Sequence, residues 1–263
     1  MRLRTVIAST ALAGLLGILV GCGSSSEPRA GTPSAATPPP IPQVGLCRNL
    51  TFDDVAHTSN NDDAVPCSRA HTAVTVAVGR LKSTNVNSSA VQHQLTVACP
   101  RAVRKHVGGT TERFNLSLLV PIWFIPEPSE IAAGADWYRC DVVAVSSTKK
   151  LSPLRGKMRG ALAKERSLDH WGSCGNTAPS GTKFRRYLCS EAHQWRAVST
   201  IAIPKKSAYL AKATSTAASK ACRSIASDQS KGALKYSWSF QWPNKQQWKA
   251  GQRYGLCWLP TKN

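Results

Sequence analysis

Two short steps in this chain have the residue types for chemistry: Cys67-Ser68-Arg69-Ala70-His71 and Cys189-Ser190-Glu191-Ala192-His193. A thiolate beside an imidazole is a nucleophile with its base, and the same pair supplies two ligands to zinc. The surroundings complete neither chemistry. Zinc motifs bring cysteines in close Cys-x2–4-Cys pairs, and none is present. A nucleophilic cysteine must stay reduced, and no third polar partner recurs beside either histidine. His57, His93, His106 and His170 share no ligating spacing. The expected role of His71 and His193 is therefore structural, bonding the turn into the next strand, with no metal and no cofactor.

The cysteines show how those steps are positioned. Besides Cys22 there are eight, in two sets of four: Cys47, Cys67, Cys99, Cys140, and Cys174, Cys189, Cys222, Cys257. Pro126, Ile131, Gly134 and Cys140 each lie 117 positions before Pro243, Trp248, Gly251 and Cys257. Shared order, motif and register indicate one module written twice. Four cysteines allow three connectivities, and sequence leaves the choice open. First-to-second with third-to-fourth is the expected one: Cys47–Cys67, Cys99–Cys140, Cys174–Cys189 and Cys222–Cys257. Each bridge would contribute about 2–4 kcal/mol by restricting the unfolded chain.

The N-terminus sets the compartment. Met1-Arg2-Leu3-Arg4 is a basic start, Thr5–Val20 is an apolar stretch short for a membrane span, and Leu19-Val20-Gly21-Cys22 resembles a bacterial lipobox. That pattern implies a signal peptide over 1–21, lipid attachment at Cys22, and residence at the cell membrane on its extracytoplasmic face, where disulfides persist. Residues 22–42, rich in Ser, Pro, Thr and Ala, cannot bury a core and read as a tether. Module 1 is expected over 43–148, a basic linker over 149–169, and module 2 over 170–263.

Within each module the hydrophobic pattern predicts a small α+β domain. Strand-like alternation covers Thr72–Val78 and Trp195–Ile203. Helical spacing follows in Val91, Leu95 and Cys99, and again over Leu210–Ile225, with Pro100 expected to kink or start the first helix. Further strands are expected over Phe114–Phe124 and Ala233–Trp242, then a last strand holding the final cysteine. The fold class is thus α+β: two tandem duplicated domains, each an antiparallel sheet with a packed helix and two disulfides. Trp123 and Trp137 read as core.

Charge separates the halves. Residues 41–148 carry nine Lys/Arg and nine Asp/Glu, whereas 170–263 carry fifteen against two, so module 2 should attract polyanions. Outside the membrane the candidate partners are lipid headgroups and anionic cell-wall polymers; a secreted chain does not meet genomic nucleic acid. Lys149–Arg166 reads either as a solvated basic linker or as a short amphipathic helix on an anionic surface. Tyr236, Trp238, Phe240 and Trp242 alternate along an expected strand, so they would share one face, either as core or as a glycan platform.

The step Val65-Pro66-Cys67-Ser68-x-x-His71 and the closing pattern Trp248-x-x-Gly251-x-Arg253-x3-Cys257 resemble the septum formation domain of actinobacterial envelope proteins. The resemblance spans about residues 44–145 and 170–260, with Ile131 and Asp136 in the first copy where the second has Trp248 and Arg253. It implies a non-catalytic, membrane-attached or secreted protein linked to cell division, with His71, His193, Gly134, Gly251, Trp248 and Arg253 as motif residues and no transferable active site. Enzyme signatures are scarce: no Gly-x-Ser-x-Gly, His-Glu-x-x-His or phosphate loop occurs. Glycan hydrolysis needs a carboxylate pair, and module 2 offers only Glu191 and Asp228. The expectation is a binding or scaffold protein. The alternatives are a glycan-active or thiol-dependent cell-wall enzyme and a sensor for a secreted ligand.

Overall fold

Two five-stranded antiparallel sheets, each with one long helix against it, make up the computed structural model, which describes residues 40–146, 149–231 and 235–261. Cys22, the signal segment and the tether up to residue 39 lie outside the described residues. The first sheet contains β1 (Cys47–Arg48), β2 (Ala73–Arg80), β3 (Leu119–Phe124), β4 (Trp137–Ser146) and β5 (Lys150–Ser152). Its order is β1-β2-β4-β3, with β5 paired to the end of β4. The second contains β6 (Ser173–Gly175), β7 (Arg186–Leu188), β8 (Trp195–Ala202), β9 (Ser239–Gln241) and β10 (Tyr254–Pro260), ordered β7-β6-β8-β10-β9. The helices are α1 (Ser89–Val107), α2 (Thr111–Leu116), α3 (Pro128–Ala132), α4 (Leu168–Trp171), α5 (Lys212–Gln229) and α6 (Lys245–Lys249).

The long helices follow from their apolar spacing. In α1, Val91, Leu95, Cys99, Val103 and Val107 recur every fourth residue and are buried, and the Ser88 side chain caps the first turn by accepting from Val91 N–H. Pro100 neither starts nor ends α1, which continues through it. The carbonyl that loses its donor belongs to Thr96, on the exposed face where water can replace the bond. In α5 the buried stripe is Ala218, Cys222 and Ala226. Its small side chains fill less volume than those of α1.

Three expected elements differ. The stretch expected as a strand from Phe114 begins instead with α2, because the Thr110 side chain accepts from Arg113 N–H and caps a helical turn. Only Leu119–Phe124 pairs with β4. The strand expected over Ala233–Trp242 is reduced to Ser239–Gln241, so Tyr236 and Trp238 do not share its face.

The largest correction concerns 149–169, which is neither a solvated linker nor an amphipathic helix. Lys150–Ser152 extends the first sheet, and Leu154, Met158 and Leu162 are 2%, 4% and 0% exposed in the core of the first half. Leu154 N–H donates to His71 O at 2.7 Å, and Leu162 N–H donates to Val107 O at 2.8 Å. The cations between these anchors, Arg155, Lys157 and Arg159, point to solvent. A pattern of buried apolar and exposed basic residues served a packed turn segment as well as it would a helix.

Nor are the halves separate. All described residues belong to one compact unit from Ala36 to Asn263. Trp171 and Leu188 enter the first core, and Leu116 of α2 packs with Ala197, Leu256 and Trp258 in the second. Leu118 N–H donates to Trp171 O at 2.9 Å, and Glu112 accepts from Ser199 Oγ at 2.9 Å and Thr200 N–H at 3.1 Å.

Candidate functional site

At the two Cys-x3-His steps the thiols are already bonded: Cys47 to Cys67 and Cys174 to Cys189, with Cys99 to Cys140 and Cys222 to Cys257 linking each long helix to its central strand. Each histidine closes its own turn in the same way. His71 Nδ1 lies 2.8 Å from Arg69 O, and His193 Nδ1 lies 2.7 Å from Glu191 O. His71 is buried, and its Nε2 reaches Gly156 O at 2.9 Å, while His106 Nε2 holds Lys157 O at 2.6 Å. Two histidines thus pin the basic turn after β5. Cys174, Cys189 and His193 bring ligand atoms within 4.8 Å of one another, the one such grouping among the described residues. With sulfur bonded to sulfur, neither cysteine is a thiolate, the form that binds zinc or attacks carbon. Alkylation of the denatured, unreduced protein should leave all eight of these cysteines without adduct in a peptide map; an adduct at Cys67 or Cys189 would contradict the bonded state.

The Trp248-x-x-Gly251-x-Arg253 pattern folds as a short helix, a left-handed turn and a return strand. Asn244 and Gln247 cap α6 reciprocally, and Gly251 takes φ +90°, a conformation that L side chains rarely adopt. Arg253 then folds back, donating to Trp248 O at 2.8 Å with its guanidinium carbon 3.9 Å from the Trp248 ring centre. Gly134 holds the matching turn after α3 at φ +95°, where Asp136 instead pairs with Arg80 on β2. The same backbone corner carries a cation–π contact in one half and an ion pair in the other.

The aromatic side chains mostly pack on one another. Trp242 stacks on Trp248 at 6.0 Å, Phe240 meets Trp242 edge-on, and Tyr209 tilts against Trp248. All are half-buried, so they form a satellite core rather than an open platform. Trp238 stands apart, lining a groove on α5 with Lys220 and Arg223. Ser227 and Arg223 beside Tyr236 hold its phenol below the ordinary range. Trp137 is buried, and Trp123 packs half-buried against the first core.

The excess charge of the second half lies largely on the surface: Lys183, Arg185, Lys205, Lys206, Lys220 and Arg223 are exposed. Between the end of α5, β8 and the end of β10 is a cleft of about 870 Å3 with an apolar floor of Ala197, Val198, Ala226 and Leu259 and a rim that includes Arg196 and Lys235. Arg196 is oriented by Asp169 at 2.9 Å. A second recess at the junction is lined by Arg155, Lys157, Arg159 and His170. Burial, with Arg155 nearby, keeps His170 below the usual imidazole range.

One group escaped the sequence reading. Arg139 and Asp141 are fully buried and joined at 3.1 Å; Arg139 also donates to Asn60 O and Oδ1, and Arg48 donates to Thr75 Oγ1. Burial lowers the Arg139 pKa, and Asp141 opposes the shift. The available signal was two opposite charges at i and i+2 in an otherwise apolar strand, which puts both on one inward face. In β10 the same positions hold Leu256 and Trp258.

A family model described as septum formation matches residues 113–257, more than half the chain, running from α2 across the junction to the final cysteine. No curated protein and no solved structure matches the chain. Among the described residues, no helix is long and apolar enough to cross a membrane.

Proposed function

The chain belongs to the septum formation family, and from that premise we propose that it serves cell division or envelope construction as a binding or scaffold protein rather than an enzyme. It is held to the extracytoplasmic face of the membrane through lipid on Cys22, a reading that the lipobox-like Leu19–Cys22 and the disulfide-bonded cysteines support. Two tandem copies of one module account for the parallel disulfides, the matching strand orders and the bulge at Val76 on β2 that recurs at Val198 on β8. The second copy contacts anionic envelope polymers or lipid headgroups.

The observation that carries the binding role is the charge of residues 170–263, fifteen basic against two acidic in the sequence, with Lys183, Arg185, Lys205, Lys206, Lys220 and Arg223 exposed among the described residues. Cations held on a folded surface release counterions from a polyanion when they dock, so binding must weaken steeply with salt. The full chain, solubilised in nonionic detergent, should pellet with purified cell walls at low salt and leave them as salt rises. Walls stripped of their phosphate polymers should retain much less. Exchanging Lys220, Arg223 and Lys231 for glutamate should weaken retention roughly tenfold or more, because several counterion contacts reverse sign. Retention that ignores salt, polymer and these charges would remove the polyanion role.

A further inference from the structure

The strand registers set the two halves in correspondence. Thr75 opposite Asp141 occupies the place of Ala197 opposite Trp258, and Cys99, bonded to Cys140, matches Cys222, bonded to Cys257. The same sequence offsets, extended past the ends of β3, α5 and β9, put Val74, Val76, Val103, Val107, Leu118 and Val142 on Arg196, Val198, Ala226, Ser230, Lys235 and Leu259. The first six pack with Leu154, Met158 and Leu162 in a single core. The second six line the cleft of about 870 Å3. One groove is therefore plugged by the chain's own turn segment, and no described residue plugs the other.

We propose that the open cleft is a docking groove for a peptide segment of a partner protein, with apolar side chains four residues apart and acidic residues between them. The occupant of the plugged groove shows the form. It is an irregular stretch from Leu154 to Leu162 whose apolar residues recur every fourth position, and it is tied by Leu154 N–H to His71 O. His193, the counterpart of His71, stands two residues before β8 as His71 does before β2, which gives the second half a backbone carbonyl at the corresponding place in the chain. Ala226 in place of Val103 widens the floor. The charge differs: the internal plug is basic, with Arg155, Lys157 and Arg159, whereas the open groove has the exposed Lys235 and Arg196, the latter held by Asp169, where the first half has Leu118 and Val74. A basic segment is repelled there and an acidic one attracted. At about 870 Å3 the cleft is in the size range of ligand pockets, which lets side chains enter it. Such docking rests on the two halves being copies of one module and is independent of polyanion binding.

The test uses a fluorescein-labelled peptide, Leu-Glu-Gly-Glu-Met-Glu-Gly-Ala-Leu, which is the plug sequence with its three cations replaced by glutamate. It is titrated into the full chain in nonionic detergent and followed by polarisation, beside the unaltered basic peptide and dodecanoate as a competitor. The acidic peptide should bind saturably and at least about tenfold more tightly than the basic one. Ala226→Trp, which fills the floor, should abolish binding, and Lys235→Glu should erase or reverse the preference. Should Ala226→Trp fail to fold by near-UV circular dichroism, Ser230→Trp at the rim takes its place with the same expected loss. Equal binding of both peptides, binding untouched by the tryptophan, or no saturable binding overturns the proposal. Displacement by dodecanoate at matching concentration also overturns it, because an acyl chain would then be the occupant.

Discussion

Asp141→Ala should destabilise the fold by about 3–5 kcal/mol, the cost of leaving a buried charge without its partner. Arg139 is 2% exposed, and Asp141 holds its guanidinium at 3.1 Å, with Asn60 taking two further N–H groups and the Phe124 ring 4.6 Å away. Removing the carboxylate leaves the cation in a space that water does not reach, and the neighbours are too few to replace it. In the second sheet the residues flanking the disulfide cysteine of β10, Leu256 and Trp258, are apolar and only 4% and 0% exposed, so a strand of this kind holds apolar side chains at those places. A double Arg139→Leu, Asp141→Leu variant should therefore recover much of the loss, because apolar replacement of a buried pair is often neutral or better. Urea unfolding with disulfides intact measures both. A single-variant loss within about 0.5 kcal/mol, typical of surface changes, would mean that Arg139 finds solvent.

Leu162→Ala should cost about 2–5 kcal/mol, as truncation of a large buried aliphatic does. The residue is fully buried, its N–H donates to Val107 O at 2.8 Å, and its carbonyl accepts from Arg113 at 3.0 Å. A solvated linker would change by no more than about 0.5 kcal/mol. The two readings of 149–169 thus differ by several-fold in a single denaturation midpoint. Arg159→Ala, exposed beside it, is the control and should change little.

The misreading of this segment has a physical cause. Leu154, Met158 and Leu162 at four-residue spacing fit a helix face, a turn segment pressed into a groove and a tether equally well. Which one forms depends on whether a partner surface exists, here the buried side of α1 and the acceptors on His71 and Val107. Those lie far back in the sequence, and local pattern carries no record of them. The aromatic alternation from Tyr236 to Trp242 misled in the same way: β9 pairs with β10 over three residues only, and the preceding aromatics follow contacts with α5 instead.

The α+β class, the strands before and after each long helix, the extra charge of residues 170–263 and the resemblance to the septum formation family are all legible in the residues alone. Each rests on information written locally: a two- or four-residue periodicity, a count, or a motif of fixed spacing. The shared core residues of the two halves, the buried pair of Arg139 and Asp141, the packing of 149–169 and the cleft between α5, β8 and β10 came from the three-dimensional fold. These features depend on which distant surfaces meet, and burial is a property of both surfaces together. Val103 and Ala226 each lie four residues after the disulfide cysteine of a long helix, yet one closes a core and the other floors a cleft, because of what each meets across the gap.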